Sequence, residues 1–287
     1  WSHRPSFPLV SIKCDSMDKL QIHSSKACYH LRLFRKMLAV FRAGLVNPPQ
    51  ELNSPTSSSF RKGRLPHEIL SEFATSNPSR AFSMGFGGEA LLAYLPAVNS
   101  LQQRLFVGAN DVYCVFLGNL TNLYSLNKQY GLSKGSNEAM FLIEAYRTLR
   151  DRGPYPAHQV IKGLEGCFAF VIYDTLADHV FIGLGEDERV ALFWGIAEDE
   201  SVVVSDDVNV VKRSCGKSYA PFPRGCMFHT EQGLTSFEHP KNQMRAMPRV
   251  DSEGVMCGAN FITDVQSRIA TMPRVGSEAN WALWNHT

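Results

Sequence analysis

The chain has 287 residues, enough for one large domain or two small ones. A hydrophobic fraction of 44% and a charged fraction of 20% suit a soluble folded protein, and no apolar run approaches the about 18–20 residues that span a bilayer; seven cysteines, an odd number, argue against a secreted disulfide framework and for a reducing compartment. The formal charge of +2 is uneven: residues 1–36 hold seven Lys/Arg and two Asp, net +5, leaving 22 basic and 25 acidic residues, net −3, which disfavours a nucleic-acid surface.

Residues 1–36 are basic, Ser-rich and acid-poor. They are expected to form an unstructured extension ahead of a natural start at Met37, with an organelle transit peptide as the alternative. Met37–Phe41, MLAVF, is a short apolar run expected as a buried strand. Asn47-Pro48-Pro49 and the Asn53–Ser59 stretch are loop chemistry. Leu65–Phe73 places Leu65, Ile69, Leu70 and Phe73 on one helical face. Strands are expected at Ala81–Met84 and Ala90–Tyr94, split by a glycine turn at Gly85, Gly87 and Gly88. A hairpin is expected from Arg104–Gly108 and Asp111–Leu117, turning at Ala109-Asn110, followed by a short helix over Leu120–Leu126.

From Asn137 the helical pattern is strong. Ala139, Leu142, Ile143, Tyr146 and Leu149 share one face. Ser136 or Asn137 can cap the first turn, and Gly153-Pro154 ends the helix. Arg147, Arg150 and Arg152 fall where the helix dipole is negative, so a structural cation-rich turn is expected rather than a substrate-binding cluster. A second short helix then precedes the strands Cys167–Tyr173, His179–Leu184, Ala191–Ile196 and Ser201–Val204. Cys114 and Cys167 lie in apolar runs and are expected to act as small hydrophobes. Asp206-Asp207 reads as the acidic start of a helix over 208–212. Residues 225–237 read as a hairpin through Gln232-Gly233. MPRVDSE at 247–253 recurs as MPRVGSE at 272–278; two similar proline turns are expected, and the alternative is a kinase target in which phosphate meets Arg. The expected division is an extension over 1–36, one domain over 37–265 and a tail over 266–287.

The sequence holds no HExxH, Walker A loop or CxxC pair. Cys226, His229, His239 and Cys257 fit no standard zinc spacing. No metal or cofactor is therefore expected.

The strings MLAVF at 37–41, PPQELNSP at 48–55, FLGNLTNL at 116–123, NKQYGLSK at 127–134, NEAMFLIEAYRTLRDRGPYPA at 137–157, LEGCFAFVIYD at 164–174, FPRGCMFH at 222–229 and MPRVDSEGVMCGANF at 247–261 closely resemble a plant family. It is the aluminium-induced proteins with YGL and LRDR motifs, also called stem-specific or auxin-responsive proteins. That family is similar to the class II glutamine amidotransferase domain of asparagine synthetase. The resemblance implies an α+β, four-layer αββα sandwich of the N-terminal-nucleophile type, with two antiparallel sheets between helix layers. In the active relatives a Cys following the initiator Met attacks the glutamine amide, its free α-amine acts as base, and an Asn-Gly pair stabilises the oxyanion.

This chain departs from that pattern. Leu38 stands at the nucleophile position, and Leu117-Gly118-Asn119 replaces the Asn-Gly-Glu of the oxyanion site. Ser136-Asn137 replaces a Ser-Asp pair, and no Arg lies in the 85–95 stretch where a carboxylate clamp is expected. The resemblance, with these losses, implies a non-catalytic protein whose vestigial pocket of Leu38, Leu117, Gly118, Asn119 and Asn137 holds a small polar ligand or helps bind a protein. Homodimerisation is a further possible association, and neither a nucleic-acid partner nor a membrane span is expected. The expected location is the cytoplasm, with the nucleus as a second compartment. The alternative is an active amide hydrolase using Cys114 or Cys226.

Overall fold

The computed structural model describes residues 37–53, 65–75, 81–96, 103–152, 157–250, 254 and 256–268. The basic extension and the second MPRV copy lie outside the described residues.

The chain enters through β1 (Met37–Phe41), all five residues of which are buried. A short turn of 3-10 helix at Gln50–Leu52 precedes α1 (Pro66–Thr75). Then come β2 (Phe82–Phe86), β3 (Ala90–Tyr94), β4 (Gln103–Ala109) and β5 (Val112–Leu120). Helices α2 (Leu123–Gln129), α3 (Glu138–Arg152) and α4 (Ala157–Lys162) follow, and lead into β6 (Gly166–Asp174), β7 (His179–Leu184), β8 (Phe193–Ile196) and β9 (Val202–Ser205). Helix α5 (Val208–Cys215) precedes β10 (Tyr219–Pro221), β11 (Cys226–His229), β12 (Gly233–Ser236), β13 (Asn242–Val250) and β14 (Met256–Arg268).

Among the described residues the strands form two six-stranded sheets and a two-stranded ribbon. The first sheet runs β10-β8-β9-β1-β3-β2 and the second β12-β11-β7-β6-β5-β4, and every pairing is antiparallel. Successive strand residues face opposite sides of a sheet, and β1 shows what that does here. Met37, Ala39 and Phe41 pack into the core shared with Val115, Leu117, Ala169 and Val171 of the second sheet. Leu38 and Val40 point the other way, against Ile69 and Phe73 of α1 and Val210 and Val211 of α5. On the far side of the second sheet, Phe116, Phe168, Phe170 and Ile172 meet Phe141, Leu142, Ile143 and Tyr146 of α3 and Ile161 of α4. Three apolar layers thus separate helix, sheet, sheet and helix. This is the αββα sandwich with antiparallel sheets that the resemblance implied. Strands buried on both faces read as continuous apolar runs, which is why β1 and β6 were legible.

The β4–β5 hairpin turns at Asn110-Asp111, with φ of 49° and 62°, one residue beyond the expected Ala109-Asn110. Two consecutive positive φ values mark the tight turn whose twist matches the flanking strands. Four further expectations shift. Gly85 lies within β2, and the turn is made by Gly87 and Gly88. Leu120 closes β5, so the next helix starts at Leu123 and not at Leu120. Strand β8 starts at Phe193 and not at Ala191. The MPRV copy at 247–250 is no proline turn: it lies in β13, where Pro248 stands opposite Ala259. A two-stranded ribbon tolerates this proline because each strand has a free edge and the register slips beside it, between Pro248 and Val250.

The ribbon is fastened to the sandwich by Arg249. Its Nη2 donates to the Tyr219 carbonyl at 2.6 Å, its Nε to the Cys257 carbonyl at 3.1 Å, and its guanidinium lies 4.1 Å from the centre of the Tyr219 ring. The arginine of this copy is therefore engaged by the fold rather than held out toward a phosphate.

Candidate functional site

Strands β1 and β9 lie side by side, with Leu38 opposite Ser205, the last residue of β9. That pairing brings Ser205, Asp206 and Asp207 to the leading residue of β1. Ser205 Oγ donates to the Met37 carbonyl at 2.6 Å and accepts the Asp207 N–H at 3.1 Å. Asp206 Oδ1 accepts the Met37 N–H at 2.7 Å, and its Oδ2 accepts Nη2 of Arg104 at 2.8 Å. The Arg104 and Asp206 side chains are only 5% and 8% exposed.

The two adjacent carboxylates do different work. Asp207 caps α5 by accepting the Asn209 N–H at 2.8 Å, as the sequence led one to expect. Asp206 turns inward instead and joins the two sheets through Arg104, which stands opposite Leu117 on the outermost strand of the second sheet. Burial pushes the Asp206 carboxyl above its ordinary value, while Arg104 and the Met37 N–H pull toward the charged form. Arg104 is only partly satisfied: its Nε and Nη1 are buried without a hydrogen-bond partner among the described residues.

Aromatic rings line the same side of the sandwich. Tyr94, opposite Met37 on β3, stacks on Phe106 with ring centres 5.7 Å apart. Phe82 lies 5.2 Å from Phe106 and 5.5 Å from Tyr94, so the outermost strands β2 and β4 meet through rings.

The residues expected in a vestigial pocket are dispersed over the layers. Leu38 is fully buried among the helices beside the first sheet, whereas Leu117 belongs to the core between the sheets. Gly118 has φ of 113°, and a side chain there would strike the Cys167 carbonyl of the neighbouring strand. Asn119 is exposed near the end of β5. Asn137 Oδ1 accepts the Met140 N–H at 2.9 Å and so caps α3.

Two arginines of the last turns of α3, Arg147 and Arg150 (the latter in the LRDR motif), are engaged within the fold. Arg147 pairs with Glu144 at 2.8 Å. Arg150 pairs with Asp151 at 2.8 Å and with the fully buried Asp174 at 2.7 Å, tying α3 to the end of β6. Asp174 also accepts the N–H groups of Leu176 and Ala177.

The candidate thiols are buried. Desolvation drives Cys114 far above the ordinary thiol range and pushes Cys226 up to about 12, so neither forms appreciable thiolate at neutral pH. Cys226 packs between the sheets, while His229 contacts His179 and Phe181. Among the described residues no group of three or more His, Cys, Asp or Glu is placed to hold a metal ion.

Sequence reasoning missed the Arg104–Asp206 pair. Arg104 was legible only as a strand residue, and Asp206 as a helix-terminal anion. The available signal was alternation along β4: Arg104 shares a face with Phe106, which packs against the inter-sheet core, so a partner for its charge was to be sought.

These features define a class: an αββα sandwich whose first strand lies inside one sheet, its leading N–H held by a buried carboxylate. The chain belongs to the aluminium-induced protein family, whose profile matches residues 38–263. It is 42% identical over 147 residues to the stem-specific protein TSJT1 of Nicotiana tabacum, covering 51% of this chain and 99% of that protein. Among solved structures, it resembles the glutamine phosphoribosylpyrophosphate amidotransferase of B. subtilis, with TM-score 0.41 and 16% identity over 76% of this chain and 46% of that one. This chain thus spans less than half of that enzyme. A glutamine aminotransferase class-II domain protein from silicibacter pomeroyi gives TM-score 0.37 and 10% identity, over 69% of this chain and 96% of that one.

Proposed function

We propose that this protein is a non-catalytic amidotransferase-like module that binds a small polar ligand or a protein partner in the aluminium-stress and auxin responses of plants, in the cytoplasm. The observation that carries this reading is the environment of β1. Its second residue, Leu38, has an aliphatic side chain buried against α1 and α5, and Met37 beside it is apolar and buried between the sheets. Neither side chain has a lone pair suited to attack an amide carbonyl.

The other components of amide hydrolysis are likewise engaged elsewhere. The Met37 N–H is bound to Asp206, Asn137 caps a helix, and Leu117 supplies no hydrogen bond where the resemblance implies an oxyanion donor. Loss of the nucleophile alone typically costs several orders of magnitude in rate. Cys114 and Cys226 are poor substitutes, because burial favours their neutral thiols.

Ammonia release from glutamine, asparagine and simple amides, measured on the full chain beside Cys114→Ala and Cys226→Ala variants, tests the reading. The expected result is release no faster than a buffer blank for all three proteins. Turnover by the unmodified chain that disappears in one cysteine variant would establish the hydrolase alternative.

A further inference from the structure

Among the described residues, Arg104 is the buried side chain that the fold leaves least satisfied. A guanidinium has five N–H bonds and no acceptor. One Nη2 hydrogen goes to Asp206, while the single hydrogen on Nε and both on Nη1 meet no acceptor in a side chain 95% removed from solvent. Unpaired buried donors on a charged group are costly, and structures generally supply them with a protein group, a water or a ligand.

The surroundings narrow the choice. Arg104 shares its face of β4 with Phe106 and stands opposite Leu117. Phe106 stacks on Tyr94, and Tyr94 pairs across the first sheet with Met37, whose N–H completes Asp206. A lone water at Nε and Nη1 would gain donors, but the side chains that neighbour Arg104 on this face, Leu117 and Phe106, offer no acceptor for its own hydrogens. A group that only accepts, with an apolar body, suits this setting. We propose that the unpaired Nε and Nη1 of Arg104 receive the carboxylate of a small organic acid, its carbon chain lying between the two sheets toward Phe106 and Tyr94. The planar guanidinium matches a planar carboxylate. A monoanion is favoured over a dianion because Asp206 already offsets the single positive charge. The proposal deepens the binding-module reading and rests on it, and it names the ligand class.

The test uses the full chain and sodium acetate, propionate and butyrate, with acetamide, phosphate and chloride as comparison probes at equal ionic strength. Melting temperature and titration calorimetry are the readouts. Saturable stabilisation by the carboxylates is expected, with binding at least tenfold weaker for acetamide and phosphate and none for chloride. Arg104→Lys keeps the charge but loses the fork, and is expected to weaken carboxylate binding at least tenfold. Nuclear Overhauser contacts from the propionate chain to the Phe106 and Tyr94 rings of the unmodified protein locate the site even where the variant fails to fold. Absence of a saturable response, an equal response to phosphate or acetamide, undiminished binding by a folded Arg104→Lys, or propionate contacts elsewhere overturns the proposal. Ammonia release from glutamine in the same sample would instead overturn the non-catalytic reading, so the two failures are distinguishable.

Discussion

Arg104 and Asp206 are 102 residues apart in the chain and 2.8 Å apart in the fold, and their ion pair joins the outermost strand of one sheet to the segment following an inner strand of the other. The same carboxylate holds the leading N–H of β1 at 2.7 Å. One buried carboxylate therefore bonds to both the edge strand of the second sheet and the first strand of the other.

Asp206→Asn removes the counter-charge of a nearly buried guanidinium and is expected to destabilise the protein by about 3–5 kcal/mol. Arg104→Met combined with Asp206→Asn should cost less than the two single changes added together, because the double variant leaves neither charge unpaired. Urea unfolding of the four proteins measures the difference.

Gly118→Ala forces a side chain into a residue with φ of 113° and against the Cys167 carbonyl. The expected loss is about 2–4 kcal/mol. Gly131→Ala, also at positive φ but with open space around it, should lose less. Thermal unfolding of the two variants decides between backbone strain alone and strain plus collision.

Asp174 bears on acid stability. Burial alone would raise its carboxyl, yet Arg150 and the N–H groups of Ala177 and Leu176 hold it below its ordinary value. Its contribution is therefore complete above the unfolded value near pH ~4 and is lost as pH falls through the lower folded value. Asp174→Asn should cost about 2–3 kcal/mol at pH 7 and flatten the acid limb of the stability curve. Unfolding free energies between pH 7 and pH 2 provide the test.

Leu38→Cys places a thiol on the helix-facing side of β1, away from the inter-sheet core. It is expected to lose about 1–3 kcal/mol, to resist a soluble disulfide reagent until the protein unfolds, and to release no ammonia from glutamine. Rapid labelling in the native state, or glutaminase activity, would contradict this orientation of β1.

Arg249→Ala removes a hydrogen bond and a cation–π contact between the ribbon and β10, and a second hydrogen bond within the ribbon, to the Cys257 carbonyl. Amide exchange over residues 256–262 should accelerate, while global stability falls by only about 1–2 kcal/mol. Hydrogen exchange read by mass spectrometry separates the local from the global effect.

Much of the architecture was legible from local pattern. MLAVF and His179–Leu184 read as strands and form β1 and β7 over the same residues. Ser136 or Asn137 read as the cap of α3, and Asn137 is the one that fills the role. These features depend on neighbours within one turn of helix or on residues buried on both faces. Strand β10 is three residues long, and β13 alternates partly buried and exposed residues around Pro248, so neither has a strong local signature. The candidate site was less legible. The family resemblance drew attention to Leu38 and Leu117, but strand alternation turns Leu38 toward the helices while Leu117 faces the other sheet.

The sequence by itself determined which side chains stand at the expected positions: those of Leu38 and Leu117 can neither attack nor hydrogen-bond a carbonyl, whatever surrounds them. It also marked most of the strands and helices, because apolar periodicity acts over a few residues, while their stacking into four layers was implied by the family resemblance. Only the tertiary structure decided which charges meet. Asp206 and Asp207 have the same side chain, yet one caps a helix and the other is drawn between the sheets to Arg104. That distinction comes from strand register over a hundred residues, and burial then makes the pairing energetically obligatory.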